Sequence, residues 1–407
     1  MLITARRSWL GPGRIRHGWA VRVEDDRIAQ VGPLRRLLQD GGPQEQVVDY
    51  GDACLLPGLV NAHCHLEQGH LRERIPSSGG FPWWYRRLLG AHHDRLGEEL
   101  VLERIAGAIR LGAGELLSHG TTAVCDVSST GMPAGILAGF PLRAVCALEC
   151  SSLAGTWEGA GRDRALRYLE GPRTALLRRT VVPHSLHACT ARLLADLSQE
   201  GFHRGTPSLH LAQSLEEREL LDQGMGPMRA LMDTLFPGQD ISPVEGTWGR
   251  LAAFYPPRRG MLAIHGGALQ AREIRRLAKA GASLVLCPQD AEHLGSPLPD
   301  FDEIARQRLG VALGTESLAS CHALSLWREM AVLKGLHPGL DPGAILSWAT
   351  AGGARALGIG SGTLEAGRLA DWVAADCADV PDGELEAHLV GQEPDVVGTG
   401  VGGTLVF

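Results

Sequence analysis

Eight short apolar segments alternate with longer amphipathic segments between Cys54 and Ser317. Apolar runs of strand length that alternate with helix-length segments are typical of parallel β-strands joined by crossover helices. Eight such units are the number that a closed (β/α)8 barrel requires. An open doubly wound sheet is the alternative, but no glycine-rich dinucleotide turn follows the first predicted strand. The predicted strands are Cys54–His65, Thr121–Ser128, Leu142–Glu149, Thr180–His184, Ser208–Ser214, Met261–Gly266, Ser283–Gln289 and Val311–Ser317.

Both ends of the chain show the alternating pattern of short β-strands. Residues 19–24 and 26–32 alternate apolar and polar side chains around an Asp-Asp turn. Residues 362–376 again show a pattern typical of β-strands, and we expect them to pair with the first strands of the chain. The predicted fold class is therefore α/β, with a (β/α)8 TIM barrel over residues 56–359. A small β-sandwich domain is predicted from residues 1–55 and 360–407.

Composition and charge limit the partners of this chain. With 46 acidic and 39 basic side chains, the net charge of −7 disfavours a nucleic-acid groove and favours solubility. No run approaches the ~20 apolar residues of a membrane span, and no apolar signal segment follows the first residues. Nine cysteines without a CxxC pair favour reduced thiols over a disulfide framework. We therefore expect a cytoplasmic protein without nucleic-acid or membrane partners.

Histidines and acids recur where the predicted strands end. In barrels of this kind, functional side chains lie at the carboxyl ends of the strands. His63 and His65, two residues apart on one strand, point to the same face and can hold one ion. This pair alone fits a metal site and a pair of core histidines equally well, but His210, His265 and Glu316 at later strand ends favour a metal. Neutral imidazoles with one carboxylate suit zinc or ferrous iron, with a position left for water.

The sequence around these residues resembles the amidohydrolase superfamily over nearly the whole chain. The resemblance rests on residues 56–67 (Leu-Pro-Gly-Leu-Val-Asn-Ala-His-Cys-His-Leu-Glu), 208–213 (Ser-Leu-His-Leu-Ala-Gln), 263–267 (Ala-Ile-His-Gly-Gly) and 313–320 (Leu-Gly-Thr-Glu-Ser-Leu-Ala-Ser). It implies one divalent metal ion, zinc before iron, with the ligands His63, His65, His210 and Glu316. It also implies that His265 contacts the catalytic water and that Glu316 orients it.

Within the superfamily, the chain is most similar to the aminohydrolase branch and to aminodeoxyfutalosine deaminases, which remove an adenine amino group in a menaquinone route. The similarity lies in residues 80–89, 182–185, 214–221, 287–289 and 317–320. It implies a hydrolase of carbon–nitrogen bonds with a small, purine-like substrate, and a homodimer, which is common among similar proteins.

Three residues are candidate substrate contacts, and each has a structural alternative. His184 either contacts the substrate or is a hydrogen-bonded residue of the barrel. Glu67 either contacts the substrate or pairs with an arginine such as Arg72. Trp84 either belongs to an aromatic wall for a flat ring or caps the barrel mouth.

Several residues depart from the pattern of the similar enzymes. Gln213 replaces a glutamate that carries a proton from water to the substrate nitrogen, and an amide cannot carry a proton at neutral pH. Loss of such a group costs about 10²–10⁴-fold in rate. Glu316 replaces an aspartate, and its extra methylene moves the carboxylate unless the backbone retreats. Residues 287–291 (Cys-Pro-Gln-Asp-Ala) replace Cys-Pro-Arg-Ser-Asn, so substrate contacts there are expected to differ.

These departures leave two functions open. In the first, the chain is a metal-dependent hydrolase in which His265, Glu316 and Gln213 occupy the catalytic positions, with Glu316 as both ligand and base. In the second, it is a diverged, catalytically weak or inactive barrel that binds a ligand or a partner. The four histidines at strand ends favour the first function, whereas Gln213 and Glu316 together favour the second.

Overall fold

The computed structural model describes residues 1–42, 45–91, 98–152, 157–199, 202, 205–235 and 246–407. Strands β1 to β18 are Leu2–Thr4, Arg7–Trp9, Ile15–His17, Trp19–Glu24, Arg27–Pro33, Val47–Asp49, Cys54–Pro57, Leu59–Cys64, Thr121–Ser128, Arg143–Cys150, Leu177–Pro183, Ser208–Leu211, Leu262–His265, Ser283–Leu286, Gly310–Leu313, Trp372–Ala375, Val396–Val401 and Thr404–Leu405. Helices α1 to α16 are Leu34–Asp40, Gly80–Ala91, Glu98–Ser118, Pro133–Leu137, Arg162–Leu169, Ala191–Leu197, Leu215–Gln223, Pro227–Leu235, Gly246–Phe254, Ala271–Ala280, Pro288–Leu294, Phe301–Gln307, Leu326–Leu336, Pro342–Ser347, Gly353–Leu357 and Leu385–Gly391.

Eight parallel strands form the barrel that the sequence predicts. Strands β8 to β11 form one four-stranded sheet and β12 to β15 form another, and neighbouring strands in both are parallel. Parallel bridges join the two sheets at both junctions. At one junction His65 N donates to Glu316 O at 2.8 Å, and at the other His210 N donates to His184 O at 2.9 Å. The two sheets therefore close into one ring.

Alternating side chains of the strands fill the barrel and bind its helices. Leu262 and Ile264 of β13 belong to the same buried cluster as Val60 of β8, inside the ring. Ala263, which lies between them, packs in the outer cluster with Leu277 of α10. The period of two therefore separates the inner from the outer layer. Of the helices that the structure describes, none has both the length and the apolar character needed to cross a membrane.

The first predicted strand, Cys54–His65, is in fact two strands. Strand β7 pairs with β16 of the small domain, whereas β8 is the first strand of the barrel. Gly58 lies between them, and its amide donates to Asp371 O at 3.0 Å. A Cβ atom at this position would lie 2.2 Å from Thr122 Oγ1, so the crossing requires glycine. The sequence merges the two strands because both are mostly apolar and every residue in them is buried.

The two chain ends build a sandwich of two sheets. One sheet has the order β5-β4-β1-β6 and the other has the order β18-β17-β16-β7-β2-β3. Ile3, Val21 and Ile28 of the first sheet meet Leu55 and Trp372 of the second in one buried cluster. Residues from both ends of the sequence therefore share a single small core.

A buried ion pair attaches this sandwich to the barrel. Arg143 begins β10, and Asp371 directly precedes β16. Arg143 Nε donates to Asp371 Oδ2 at 2.7 Å, and its Nη2 donates to Oδ1 at 3.0 Å. Gly402 N also donates to Oδ1, at 2.8 Å. Asp371 therefore contacts Arg143 of the barrel and Gly402, which follows β17 of the small domain.

Candidate metal centre

Three strand ends at the barrel mouth carry left-handed residues that are not glycine. Ala212, His265 and Glu316 have φ angles of 50°, 69° and 52°. This conformation is costly for residues with a side chain and is concentrated at functional sites. Strand β12 accordingly ends at Leu211, not at Ser214 as predicted, because the backbone turns at Ala212. The sharp turns lie where the sequence places the candidate site residues.

The four predicted ligands meet at this mouth. Ligand atoms of the group lie within 4.8 Å of one another. Glu316 Oε2 lies 2.9 Å from His63 Nε2, and Oε1 lies 3.4 Å from His65 Nε2 and 3.7 Å from His210 Nε2. The Nε2 atoms of His63 and His210 are 3.1 Å apart. All four side chains are buried, so their polar atoms face one another rather than solvent.

This donor set fits a single divalent ion. Tetrahedral zinc with bonds of about 2.0–2.1 Å separates its ligand atoms by roughly 3.3 Å, which is the scale of the distances in this cluster. Among the described residues, the buried Nε2 of His65 finds no hydrogen-bond donor or acceptor. A buried ring nitrogen aimed at two other imidazoles and a carboxylate is well suited to coordinate a cation.

Hydrogen bonds set the orientation of the ligands. His210 Nδ1 lies 2.9 Å from His184 O, which leaves Nε2 for the centre. Asn61 Oδ1 accepts from His63 N at 3.3 Å and from Thr315 N at 3.2 Å, and its Nδ2 donates to Thr315 Oγ1 at 2.8 Å. Asn61 therefore ties β8 to the turn after β15, and such supporting contacts fix metal ligands in their coordinating geometry.

The electrostatics of the cluster favour one bound positive charge. Burial lowers the pKa of His65 to about 3 and also lowers the pKa of His63, so both rings are neutral at physiological pH. Burial opposes ionisation of Glu316, but the surrounding imidazoles outweigh it and hold the pKa of Glu316 well below its usual range. Burial also disfavours charge on His210, yet the hydrogen bond and charge of Glu316 raise its pKa to about 9. The cluster therefore combines two neutral imidazoles with an ionised carboxylate and a protonated His210, and a divalent cation would bind there in exchange for the proton of His210.

A second carboxylate stands behind His265. Asp290 of α11 is fully buried, and its Oδ2 accepts from Gln213 Nε2 at 2.9 Å. The same oxygen lies 3.6 Å from His265 Nδ1, while His265 Nε2 lies 3.5 Å from Glu316 Oε2. Burial, and then the charge of Glu316, raise the pKa of Asp290 to about 7. The candidate catalytic residues 213 and 265 thus share one carboxylate oxygen.

His184 and Glu149 border the cluster on the side of β10 and β11. The half-buried ring of His184 lies 4.8 Å from the ring of His210 and 5.9 Å from that of Tyr85. Glu149 Oε1 lies 3.8 Å from His210 Nδ1, and burial raises the pKa of Glu149 to about 8. His184 therefore lies beside the centre, between the candidate ligand His210 and the aromatic ring of Tyr85.

Glu67 and Trp84 are held by other parts of the protein. The Glu67 carboxylate accepts from hydroxyls and amides of residues 128–130 at 2.7 to 3.1 Å. Trp84 is buried in α2, and its Nε1 donates to a backbone oxygen after β15 at 3.3 Å. Arg72 pairs with Glu115, so the alternative of a Glu67–Arg72 pair does not hold. Substrate contact by Glu67 or Trp84 stays a prediction.

Asp290 and Glu149 are neighbours of the centre that the sequence analysis did not single out. Glu149 is the last residue of a predicted strand, so the strand-end rule that selected the histidines was sufficient to find it. For Asp290 the signal is that an acid is lost at one position and gained at another. Gln213 replaces the acid of strand five, and an acid appears in residues 287–291.

Comparison with curated proteins finds deaminases that match most of the chain. The 5-methylthioadenosine/S-adenosylhomocysteine deaminase of Syntrophobacter fumaroxidans is 28% identical over 384 residues, which cover 88% of this chain and 80% of the relative. The protein of the same name from Nitratidesulfovibrio vulgaris (strain Hildenborough) is 30% identical over 385 residues, which cover 88% of this chain and 78% of the relative.

Solved structures share the fold over the full length. Helicobacter pylori aminofutalosine deaminase in complex with methylthio-coformycin matches with a TM-score of 0.87 and 21% identity, and the match covers 100% of both chains. A Xanthomonas campestris adenosine deaminase with bound zinc matches with a TM-score of 0.78 and 22% identity, over 99% of this chain and 92% of that one.

A family model confirms the predicted superfamily. The model described as the amidohydrolase family matches residues 54–406, which include the barrel, its four candidate ligands and the carboxyl-terminal part of the small domain. The barrel with its mouth-facing histidines, the deaminases that match most of the chain and this family match agree. The chain belongs to the amidohydrolase family.

Proposed function

We propose that this chain is a metal-dependent aminohydrolase that removes the amino group of a purine-like substrate such as aminodeoxyfutalosine. The observation that carries the proposal is the convergence of three imidazoles and one carboxylate within 4.8 Å at the barrel mouth. The names of the relatives support an aminopurine nucleoside as substrate. The reaction consumes water and converts the ring C–NH₂ group to C–OH with release of ammonia.

His63, His65, His210 and Glu316 would hold the ion in this proposal, with zinc preferred over iron. Bound there, the ion would supply Lewis-acid polarisation of the attacking water near neutral pH. The preference for zinc rests on the ligand types and is supported by the zinc-bound adenosine deaminase of similar fold.

The remaining residues would orient the reactants. His265 Nε2 faces Glu316 and is placed to accept a hydrogen bond from the attacking water. Glu316 would accept the proton of that water, because Gln213 carries an amide that cannot. His184 would contact the substrate ring beside Tyr85. Glu67 and Trp84 remain further candidates for substrate contact. Each forms a hydrogen bond with a segment at the barrel mouth, Glu67 with the loop after β9 and Trp84 with the residues after β15.

The wider setting of the proposal rests on the resemblance to aminodeoxyfutalosine deaminases. It comprises a small-molecule substrate, a place in menaquinone biosynthesis, a cytoplasmic location and a homodimer. The chain has a net charge of −7, which is consistent with a protein that does not bind nucleic acid.

The second candidate function is a diverged barrel that binds a ligand or partner with little or no turnover. Gln213 favours it, because its amide donates to Asp290 at 2.9 Å and, unlike a carboxylate, cannot take up and pass on a proton at neutral pH. A site of this kind can retain its metal after losing its chemistry, so metal content does not distinguish the two functions.

Ammonia release from the zinc-loaded protein distinguishes them. We expect turnover of aminodeoxyfutalosine, 5-methylthioadenosine, S-adenosylhomocysteine or adenosine, and its loss in a His265→Ala control that keeps its zinc. If the native chain is inactive on all four and the variant Gln213→Glu/Glu316→Asp gains activity, the diverged-barrel function is correct. Turnover by the native chain excludes it.

A further inference from the structure

Asp290 occupies an unusual place beside the metal centre. It lies in the first turn of α11, immediately after β14, and none of its surface is exposed. One of its oxygens, Oδ2, is shared between Gln213 Nε2 at 2.9 Å and His265 Nδ1 at 3.6 Å. Its other oxygen, Oδ1, is buried without a hydrogen bond among the described residues. A buried carboxylate is costly unless it is paired, and this carboxylate lies next to both side chains that flank the candidate ligands.

The backbone around Gln213 fixes where its side chain can go. Gln213 N donates to Glu217 Oε2 at 2.8 Å, and the preceding Ala212 is left-handed. The amide end of Gln213 therefore meets Asp290 in a defined geometry. Because an ionised carboxylate only accepts hydrogen bonds, the end of the amide that faces Asp290 must be the NH₂ group.

Asp290 also lies beside His265, with its Oδ2 3.6 Å from Nδ1. The opposite ring nitrogen, Nε2, lies 3.5 Å from Glu316 Oε2. The ring of His265 therefore lies between two carboxylates, and the hydrogen bond of Asp290 fixes the orientation of the Gln213 amide.

We infer that Asp290 is a positioning residue of this site, which orients the Gln213 amide and places beside His265 the carboxylate that position 213 has lost. The inference rests on the proposed function for its catalytic consequence. Its structural part, the pairing of residues 213 and 290, stands independently of turnover.

The pairing makes a prediction about charge exchange. In Gln213→Glu the new carboxylate meets Asp290 at the place where the two side chains now hydrogen-bond, so like charges are forced together. In Gln213→Glu/Asp290→Asn the donor and acceptor are exchanged and the contact is retained. Restoring the glutamate of similar enzymes is therefore expected to cost less stability when Asp290 is changed as well.

Melting temperatures of the wild type, both single variants and the double variant test the pairing. At about pH 8, where Asp290 is ionised, we expect Gln213→Glu to lower the melting temperature by about 2–4 °C in the native background and by much less in the Asp290→Asn background. Equal losses in both backgrounds would overturn the inference. Because this cycle needs no substrate, it decides the pairing even if the native protein proves inactive and the proposed function fails.

Kinetics test the positioning. With zinc content unchanged, Asp290→Asn should lower kcat by about 10- to 100-fold with a smaller change in KM, and it should alter the pH profile. Glu303→Gln is the matched control, because Glu303 of α12 is another buried acid that accepts from a glutamine, Gln307 Nε2, at 2.9 Å. It should lower the melting temperature and leave the pH profile unchanged. An active wild type matched by an equally active Asp290→Asn would refute the positioning role.

Discussion

The negative charge beside the metal centre is divided between two residues, Glu316 and Asp290. Glu316 faces the imidazoles of the ligands at 2.9 to 3.7 Å, whereas Asp290 faces Gln213 and the rear of His265. Two buried acids oppose each other's ionisation, and nearby imidazoles decide which of them ionises first. The pKa of Glu316 is accordingly low and that of Asp290 is raised. The candidate ligand Glu316 is therefore charged across the physiological pH range, whereas Asp290 titrates within that range.

Activity is expected to rise with pH through about 7. Burial and the charge of Glu316 raise the pKa of Asp290 to about 7, so the carboxylate that Gln213 and His265 require is lost as the pH falls below this value. Burial keeps the pKa of His265 at about 3, so this ring does not titrate in that range. The titratable groups around Asp290 are His265 of β13, Glu316 after β15, His210 of β12 and Glu329 of α13, together with the thiols of Cys287 and Cys321.

The measurement is kcat/KM across about pH 5 to 9, for the wild type and for Asp290→Asn. The wild type should lose activity on the acid side, and the variant should lack this dependence. A wild-type profile that stays flat between about pH 5 and 8 would contradict the assignment of Asp290.

Loss of one ligand should abolish tight metal binding. In His63→Ala the centre keeps the buried carboxylate of Glu316 and two imidazoles, and a three-ligand site binds zinc at least about tenfold more weakly. Zinc retained after dialysis, measured by plasma mass spectrometry, should fall accordingly. His17→Ala, at an exposed histidine paired with Asp382, should keep its zinc. Equal zinc content in both variants would show that the metal lies elsewhere.

The four candidate ligands could be proposed from sequence because the rule that selects them is topological. Parallel strands of a barrel bring their carboxyl ends to one mouth, whatever the loops do. Asp290 could not be found in this way. Its contact with Gln213 depends on the left-handed turn at Ala212 and on the first turn of α11, and neither follows from strand periodicity.

At the scale of elements, one carboxylate accepts hydrogen bonds from three consecutive residues at the end of β9 and in the loop after it, to which Arg164 also donates. Glu67 follows the ligand-bearing strand β8 and accepts five hydrogen bonds from residues 128–130. Backbone amides in loops need partners when they are buried. Glu67 therefore connects the segment after His65 to residues 128–130, and both of its carboxylate oxygens accept hydrogen bonds there.

Glu67→Ala should destabilise the protein by about 3 kcal/mol, because it leaves several buried donors without an acceptor. Chemical denaturation measures the effect, and the exposed Glu103→Ala in α3 provides a control that should change stability by less than about 0.5 kcal/mol. A loss of stability equal to that of the control would mean that the loop is held by other contacts.

The elements that the sequence misplaced share one cause. Periodicity reports burial and not which sheet a strand joins, so β7 and β8 were merged although they belong to different domains. Gly58 marks the boundary between β7 and β8, because a Cβ atom at this position would collide with Thr122. Helix α10, by contrast, buries Ile274 and Leu277 on one face, and such a stripe has a period that the sequence itself shows.

At the scale of the whole molecule, Arg143 and Asp371 form the polar joint between the barrel and the small domain. Their two hydrogen bonds, at 2.7 and 3.0 Å, are shielded from solvent. Removing one member of a buried pair leaves an uncompensated charge and typically costs about 3–5 kcal/mol.

Asp371→Ala should therefore lower the free energy of unfolding by about that amount, measured by chemical denaturation. The exposed pair of Arg6 and Asp52 offers a comparison, because Asp52→Ala should cost less than about 1 kcal/mol. If the two variants were equally stable, the joint would contribute nothing to the attachment of the domains.

The two junctions of the barrel have a further consequence for its breathing motions. Each half-barrel of four strands is continuous, and backbone hydrogen bonds join the halves at His65–Glu316, at His63–Thr315 and at His210–His184. Four of these six residues are candidate ligands, so an ion at the centre would hold both junctions closed. Stripping the metal should speed amide hydrogen exchange at His65 N and His210 N more than in the small-domain sheets. The catalytic ion would then also set how often the ring opens.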